Sequence, residues 1–327
     1  MSPFVDRRLR SFLQSFHFVT PGNGPRRVSW TVRLVFVAAV AGACSPQPAS
    51  RTVEDSLTSG RIKIVVTPDV ERLMVRQVEA FGRLYPEARM EIGRGTAREA
   101  IAALFGARAD VAVIARELEP EEREAAVRGR LDVEGYRFAR DAVVMVVHPG
   151  VTVENVSLDD VRGIYQGRIS RWSQLGGADV PVVPVVQPPG ADITAFLVGE
   201  ALQGEAMTAR AIEAVGDSAV VATVSRTPGA VGYVSLQWSA RGARALRLSR
   251  VVGLPYWKAD PETVYKGQYP LTRYFNLYAR ASGPRLAHGV ITFVTGREGQ
   301  QLVHESGAVP TTVPVRFVRR SPMQSTH

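Results

Sequence analysis

Ala142-Val143-Val144-Met145-Val146-Val147, closed by His148-Pro149-Gly150, is the most apolar strand candidate in the chain. A short continuous apolar run bounded by turn residues fits a strand buried on both faces. It reads as a crossing from one lobe into a second. Working back from it, Ile62-Lys63-Ile64-Val65-Val66 is a β-branched strand that stops at Thr67-Pro68. Val70, Leu73, Met74, Val78, Phe81 and Leu84 then recur at helical spacing, and Pro86 ends the segment. Arg89-Met90-Glu91-Ile92 is a second strand, broken by Gly93-Arg94-Gly95-Thr96. Thr96 is placed to cap a helix carrying Ile101, Leu104 and Phe105 on one face, with Glu99 at the capping-box position. A third strand at 111–115 and a polar surface helix at 119–128 complete the series.

Working forward, helices are expected near 158–165 and 192–202, and strands at 182–186 and near 230–234. A strand at 273–278, with aromatic spacing, carries the chain back. Helices near 284–295 and 298–305 follow, and Pro310 and Pro314 mark a non-helical end. The alternation predicts an α/β fold of two lobes, each a mixed, mainly parallel sheet flanked by helices. Two crossings make a two-segment hinge over a cleft. The expected division is 61–140 plus 273–318 for the first lobe and 141–272 for the second, with 319–327 a disordered tail. Strand–loop–helix order gathers the loops at one sheet edge, where ligands of such sheets bind.

The chain has 327 residues, 45% hydrophobic and 22% charged, which suits one large core or two smaller ones. Its net charge of +9 is misleading, because residues 1–43 hold six arginines against Asp6 alone, leaving 34 basic and 30 acidic residues beyond them. That balance, without a dense basic run, argues against a nucleic-acid partner. The single cysteine, Cys44, excludes an intrachain disulfide and a multi-cysteine zinc site. It follows a basic stretch (Arg26, Arg27, Arg33), an apolar run from Leu34 and then Ala41-Gly42-Ala43. This order reads as a signal peptide over 1–43, with 44–60 as a lipidated start and flexible tether. A cysteine after small residues resembles the bacterial lipobox, although Ala41 stands where leucine is usual. Lipidation of Cys44 then implies a membrane-anchored location in the periplasm or at the cell surface.

Several segments resemble phosphate-binding proteins of ABC importers, a PstS-like family with the type 2 periplasmic-binding fold. Ala109-Asp110-Val111-Ala112-Val113-Ile114-Ala115-Arg116 is similar to the end of that family's third strand, and Asp141 to Pro149 to its "DGIAVVVNP" crossing strand. Ile164-Tyr165-Gln166-Gly167-Arg168-Ile169-Ser170-Arg171-Trp172 with Leu175-Gly176-Gly177 resembles "IFxGxITNWxxLGG". Pro228-Gly229-Ala230-Val231-Gly232-Tyr233-Val234 resembles "PGAIGYV", and Tyr269-Pro270-Leu271-Thr272-Arg273 resembles "YPLxR". The matches keep their order from about residue 61 to 305 and are mostly scaffold motifs.

A buried oxyanion must exchange its hydration for donors, and helix N-termini supply them. Three loops before helices have the right composition, namely Thr67-Pro68-Asp69, Gly93-Arg94-Gly95-Thr96 and Pro189-Gly190-Ala191-Asp192. The resemblance implies that Thr67, the Gly95-Thr96 turn and the loop from Gly190 through Ala191 and Asp192 to Thr194 are donors from both lobes, with Arg116 as an added guanidinium. Each has a plainer role open to it. Thr67 and Thr96 serve equally as helix caps, Arg116 as the partner of Glu121 or Glu122, and Asp192 as a cap.

The chain departs from the family where arginine and Gly-Ser-Gly-Thr are usual, showing Gln187-Pro188-Pro189-Gly190-Ala191-Asp192-Ile193-Thr194. Gln187 brings no charge, Ala191 no hydroxyl, and Asp192 a carboxylate that repels a dianion or accepts from a protonated one. No HExxH, GxSxG or Walker pattern appears, so the chain reads as a non-enzyme without cofactor or metal. The expected function is capture of an inorganic oxyanion, foremost phosphate, for an inner-membrane ABC permease, by a protein working as a monomer. The alternative is a PstS-like sensor or interaction lipoprotein with an altered or lost anion site.

Overall fold

Strand β1 (Gly60–Val66) alternates, with Ile62, Ile64 and Val66 facing one core and Val65 another. The computed structural model describes residues 54–239 and 241–312, so the expected signal peptide, Cys44, most of the tether and the 319–327 tail lie outside the described residues. From β1 the chain runs through α1 (Pro68–Leu84), β2 (Ala88–Arg94), α2 (Ala97–Phe105), β3 (Val111–Ile114), α3 (Pro120–Arg128) and β4 (Val133–Val147). Next come β5 (Asn155–Ser157), α4 (Leu158–Tyr165), a 3₁₀ turn at Trp172–Leu175, β6 (Val183–Val186), α5 (Asp192–Glu200), β7 (Ile212–Glu213), α6 (Asp217–Arg226) and β8 (Ala230–Ser235). A 3₁₀ turn at Leu236–Trp238, β9 (Arg244–Ala245), β10 (Arg247–Ser249) and α7 (Pro261–Tyr265) precede β11 (Thr272–Arg280), α8 (Arg285–Thr295), α9 (Arg297–Ser306) and β12 (Val309–Pro310).

The main sheet has the order β2-β1-β3-β11-β4-β8-β6-β7, with β12 and β9 also paired to β4. β1 is parallel to β2 and β3, and β6 is parallel to β7 and β8, whereas β11 and β4 run antiparallel to their neighbours. Two lobes follow. In the first, Leu73, Met74 and Phe81 of α1 join Leu286, Val290 and Val294 of α8 on one sheet face, while Ala100, Ile101 and Leu104 of α2 cover the other. In the second, β4, β6 and β8 bury Tyr165, Trp172, Leu197, Val220 and Tyr233.

β4 is longer than the run at 142–147 that marks it in sequence. Residues 133–142 pair with β11 and 143–147 with β8, so one unbroken strand serves both lobes. Its first half is polar and only partly covered, with Glu134, Tyr136, Arg137 and Arg140 at least partly exposed and Phe138 buried. Helix α6 escapes sequence reading for another reason. Val220, Val221, Thr223 and Val224 are β-branched and weak helix formers, and burial of Val220, Val221 and Val224 against β8 overrides that preference.

Candidate functional site

Four helices begin around one cleft. Pro68 and Asp69 open α1, Gly95, Thr96 and Glu99 surround the start of α2, Gly190, Ala191 and Asp192 the start of α5, and Gly216, Asp217 and Ser218 the start of α6. Together with Arg72, Arg94, Gln187, Gln237 and Trp238 they line a cavity of about 580 Å³. Each N-terminus carries about half a positive charge on its free amides. Each also carries its own first-turn acid: Asp69, Glu99, Asp192 and Asp217. The acids offset most of the field that the helix ends would otherwise direct at a guest.

One fully covered cation stands behind this wall. Arg273 on β11 is in register with Asp141 on β4, and its Nε donates to Asp141 Oδ2 at 3.0 Å. Its Nη1 donates to Asp69 Oδ2 at 2.8 Å, while Nη2 lies 2.9 Å from Asp141 Oδ2 at too bent an angle to donate. Burial opposes its charge, but Asp69 and Asp141 outweigh burial and hold the guanidinium protonated above its ordinary range. Asp141 is completed by Ser235 Oγ at 2.7 Å and the Leu236 amide at 3.0 Å. This cluster joins α1, both crossing strands and the end of β8.

The residues singled out in the sequence fall into three groups. Gly95, Thr96, Gln187, Gly190, Ala191 and Asp192 line the cavity. Thr96 also caps α2, accepting from the Glu99 amide while Glu99 accepts from the Thr96 amide at 2.8 Å. Gln187 turns its side-chain amide to Asp217, Nε2 donating to Oδ1 at 2.8 Å, and brings no charge to the cleft. Thr194 is 4% exposed and bonds the Gln187 carbonyl and the Tyr233 hydroxyl, so it holds the loop from behind. Arg116 does not line the cavity. Its guanidinium grips Glu122 through two bonds, at 2.7 and 2.8 Å, which is the plainer of the roles open to it. Thr67 makes no cap bond, is 1% exposed, and its Oγ1 is buried without a partner.

Two carboxyls in the wall are perturbed. Burial pushes Asp217 up to about 7, with Asp69 adding to the rise and Gln187 opposing it. Asp192 is raised by burial and then by Asp69, against the pull of Arg273, the Ala115 amide and Arg116. Both side chains keep some contact with solvent.

Sequence reading missed the Gly216-Asp217-Ser218 start of α6, although its glycine and acid echo Gly190-Ala191-Asp192. The Trp238 ring packs against the core of the second lobe and lies at the cavity edge, with the Arg241 guanidinium 4.7 Å from its centroid. Among the described residues no group of three or more His, Cys, Asp or Glu side chains is arranged to hold a metal ion.

A family model described as the PBP superfamily domain matches residues 49–298. The chain belongs to the PBP superfamily. Within it the chain is PstS-like, a binding protein and not an enzyme. It is 24% identical over 277 residues to the phosphate-binding protein PstS of Bacillus subtilis, covering 83% of this chain and 88% of that one. A solved putative phosphate ABC transporter substrate-binding protein with bound phosphate, from Clostridium perfringens, superposes with a TM-score of 0.69 at 22% identity, over 77% of this chain and 100% of that one. An ABC-type phosphate transport receptor from Vibrio cholerae gives 0.67 at 20% identity, with the same coverage. At these identities the structural likeness establishes the two-lobed PBP fold and leaves the ligand to the residues of the cleft.

Proposed function

We propose that the chain is the extracytoplasmic substrate-binding component of an ABC importer, binding phosphate in the cleft between lobes 61–140 plus 273–318 and 141–272 and delivering it to the permease. The observation that carries this reading is the convergence of four helix N-termini on one cavity, and directly before one of them, α1, the Thr67 hydroxyl is buried without a partner. The relatives' own ligand supports it. A guest facing Asp69 and Asp217 meets acceptors, to which a protonated phosphate can donate and sulfate cannot. Titration calorimetry on the purified mature domain should give saturable phosphate binding with Kd on the order of 1–100 μM and no heat with sulfate. Thr67→Val should weaken the phosphate affinity by about 1–3 kcal/mol. Absence of binding to phosphate, sulfate, molybdate and nucleotides alike removes the transport reading.

A second reading, a sensor or interaction lipoprotein with a changed anion site, is favoured by the commitment of Gln187 to Asp217 and by the carboxylates in the wall. In either case we place the protein at the membrane through a lipidated Cys44. Cys44→Ser should then move it from the membrane fraction to the soluble fraction, and retention in the pellet counts against the anchor.

A further inference from the structure

Asp192 is the first residue of α5, in the second lobe, and its side chain reaches the first. Its Oδ2 accepts from the Ala115 amide, 3.4 Å away, immediately beyond the end of β3. Amides at strand ends and helix starts are the groups with which a polypeptide holds an oxyanion. One of them is here taken by a carboxylate of the chain itself. Burial and the Asp69 carboxylate act against a charge on Asp192, while Arg273, the Ala115 amide and Arg116 act to keep it ionised in this seat. Thr67 completes the setting. Its amide donates to the Val113 carbonyl, two residues before Ala115, so its buried, unpartnered hydroxyl belongs to the same strand ends.

Resting on the reading of the cleft as an anion site, we propose that Asp192 is an internal competitor: its carboxylate occupies the seat of the oxyanion, ties the two lobes together in the unliganded protein, and must be expelled before an external anion is held. Asp192 is thereby the residue that sets affinity. A role as acceptor for a protonated anion predicts the opposite sign, because removing it would then cost binding.

The deciding experiment is calorimetric titration of inorganic phosphate at pH 8 into the wild-type protein, Asp192→Ser and Asp192→Asn, with amide exchange at Ala115 followed in the absence of phosphate. Serine and asparagine have helix propensities close to that of aspartate, so the variants keep α5. Asp192→Ser should bind at least tenfold more tightly than wild type. Asp192→Asn, which loses the charge but keeps an acceptor, should fall between. The Ala115 amide should exchange faster in Asp192→Ser. Wild-type affinity equal to or above that of Asp192→Ser, or unchanged exchange at Ala115, overturns the competitor while leaving phosphate binding standing. Failure of all three proteins to bind overturns the anion site itself and the competitor with it.

Discussion

Replacing Arg273 with methionine should lower the unfolding free energy by about 3–5 kcal/mol at pH 7, the usual cost of leaving a buried charge without its partner. Methionine fills much of the volume of the arginine stem, so the loss is electrostatic rather than a cavity effect. Asp141 would keep Ser235 Oγ and the Leu236 amide as donors but would have no cation, and Asp69 would lose its 2.8 Å bond from Nη1. The deficit should shrink on acidification, since protonating Asp141 removes the uncompensated charge. Urea denaturation of both proteins across pH 4–8 measures it, and a loss under about 1 kcal/mol would show that water enters to solvate Asp141.

Asp217→Asn should change sign with pH. The folded protein holds the Asp217 proton up to about 7, against an ordinary value of 3.8. The associated stability is therefore fully present below 3.8 and is lost as pH rises through about 7. The gap between the two values sets an upper bound of about 4 kcal/mol, reduced by the water that still reaches the cleft. The asparagine avoids this loss. It forfeits one of the two bonds accepted from Gln187 Nε2 and the Ser235 amide, at a cost of about 1 kcal/mol. The variant should be about 2 kcal/mol more stable than wild type at pH 8 and about 1 kcal/mol less stable at pH 4. Parallel stability curves across this range would mean that Asp217 is ionised throughout.

The first lobe is legible because its signals are local. The β-branched run ending at Val66, the helical spacing from Val70 to Phe81 and the Thr96–Glu99 capping box each specify an element within a few residues of themselves. The expected helix at 158–165 coincides with α4 for the same reason, since Ser157 caps it and Val161, Ile164 and Tyr165 give it a buried face. At the site, the three glycine- or hydroxyl-bearing loops could be picked out because helix starts have a composition. What those loops do with their charges could not be read. Arg116 has acids nearby in sequence and takes Glu122, whereas Asp192 takes an amide in the other lobe. The pairing of Arg273 with Asp69 joins residues with no periodic relation in sequence. Such contacts follow from topology, and the YPLTR segment announces the strand without announcing the hub.

The path of the sheet also bears on biogenesis. β3 has β1 on one side, but its other side is filled only when Asn276 arrives opposite Ile114 on β11, after the whole second lobe has been made. A chain emerging N-terminus first would thus carry an open strand edge for most of its synthesis. The closing strand of the first lobe comes late because of the connectivity, so that lobe cannot complete its sheet until the second has been made, and chaperones would meet this edge before the fold is finished.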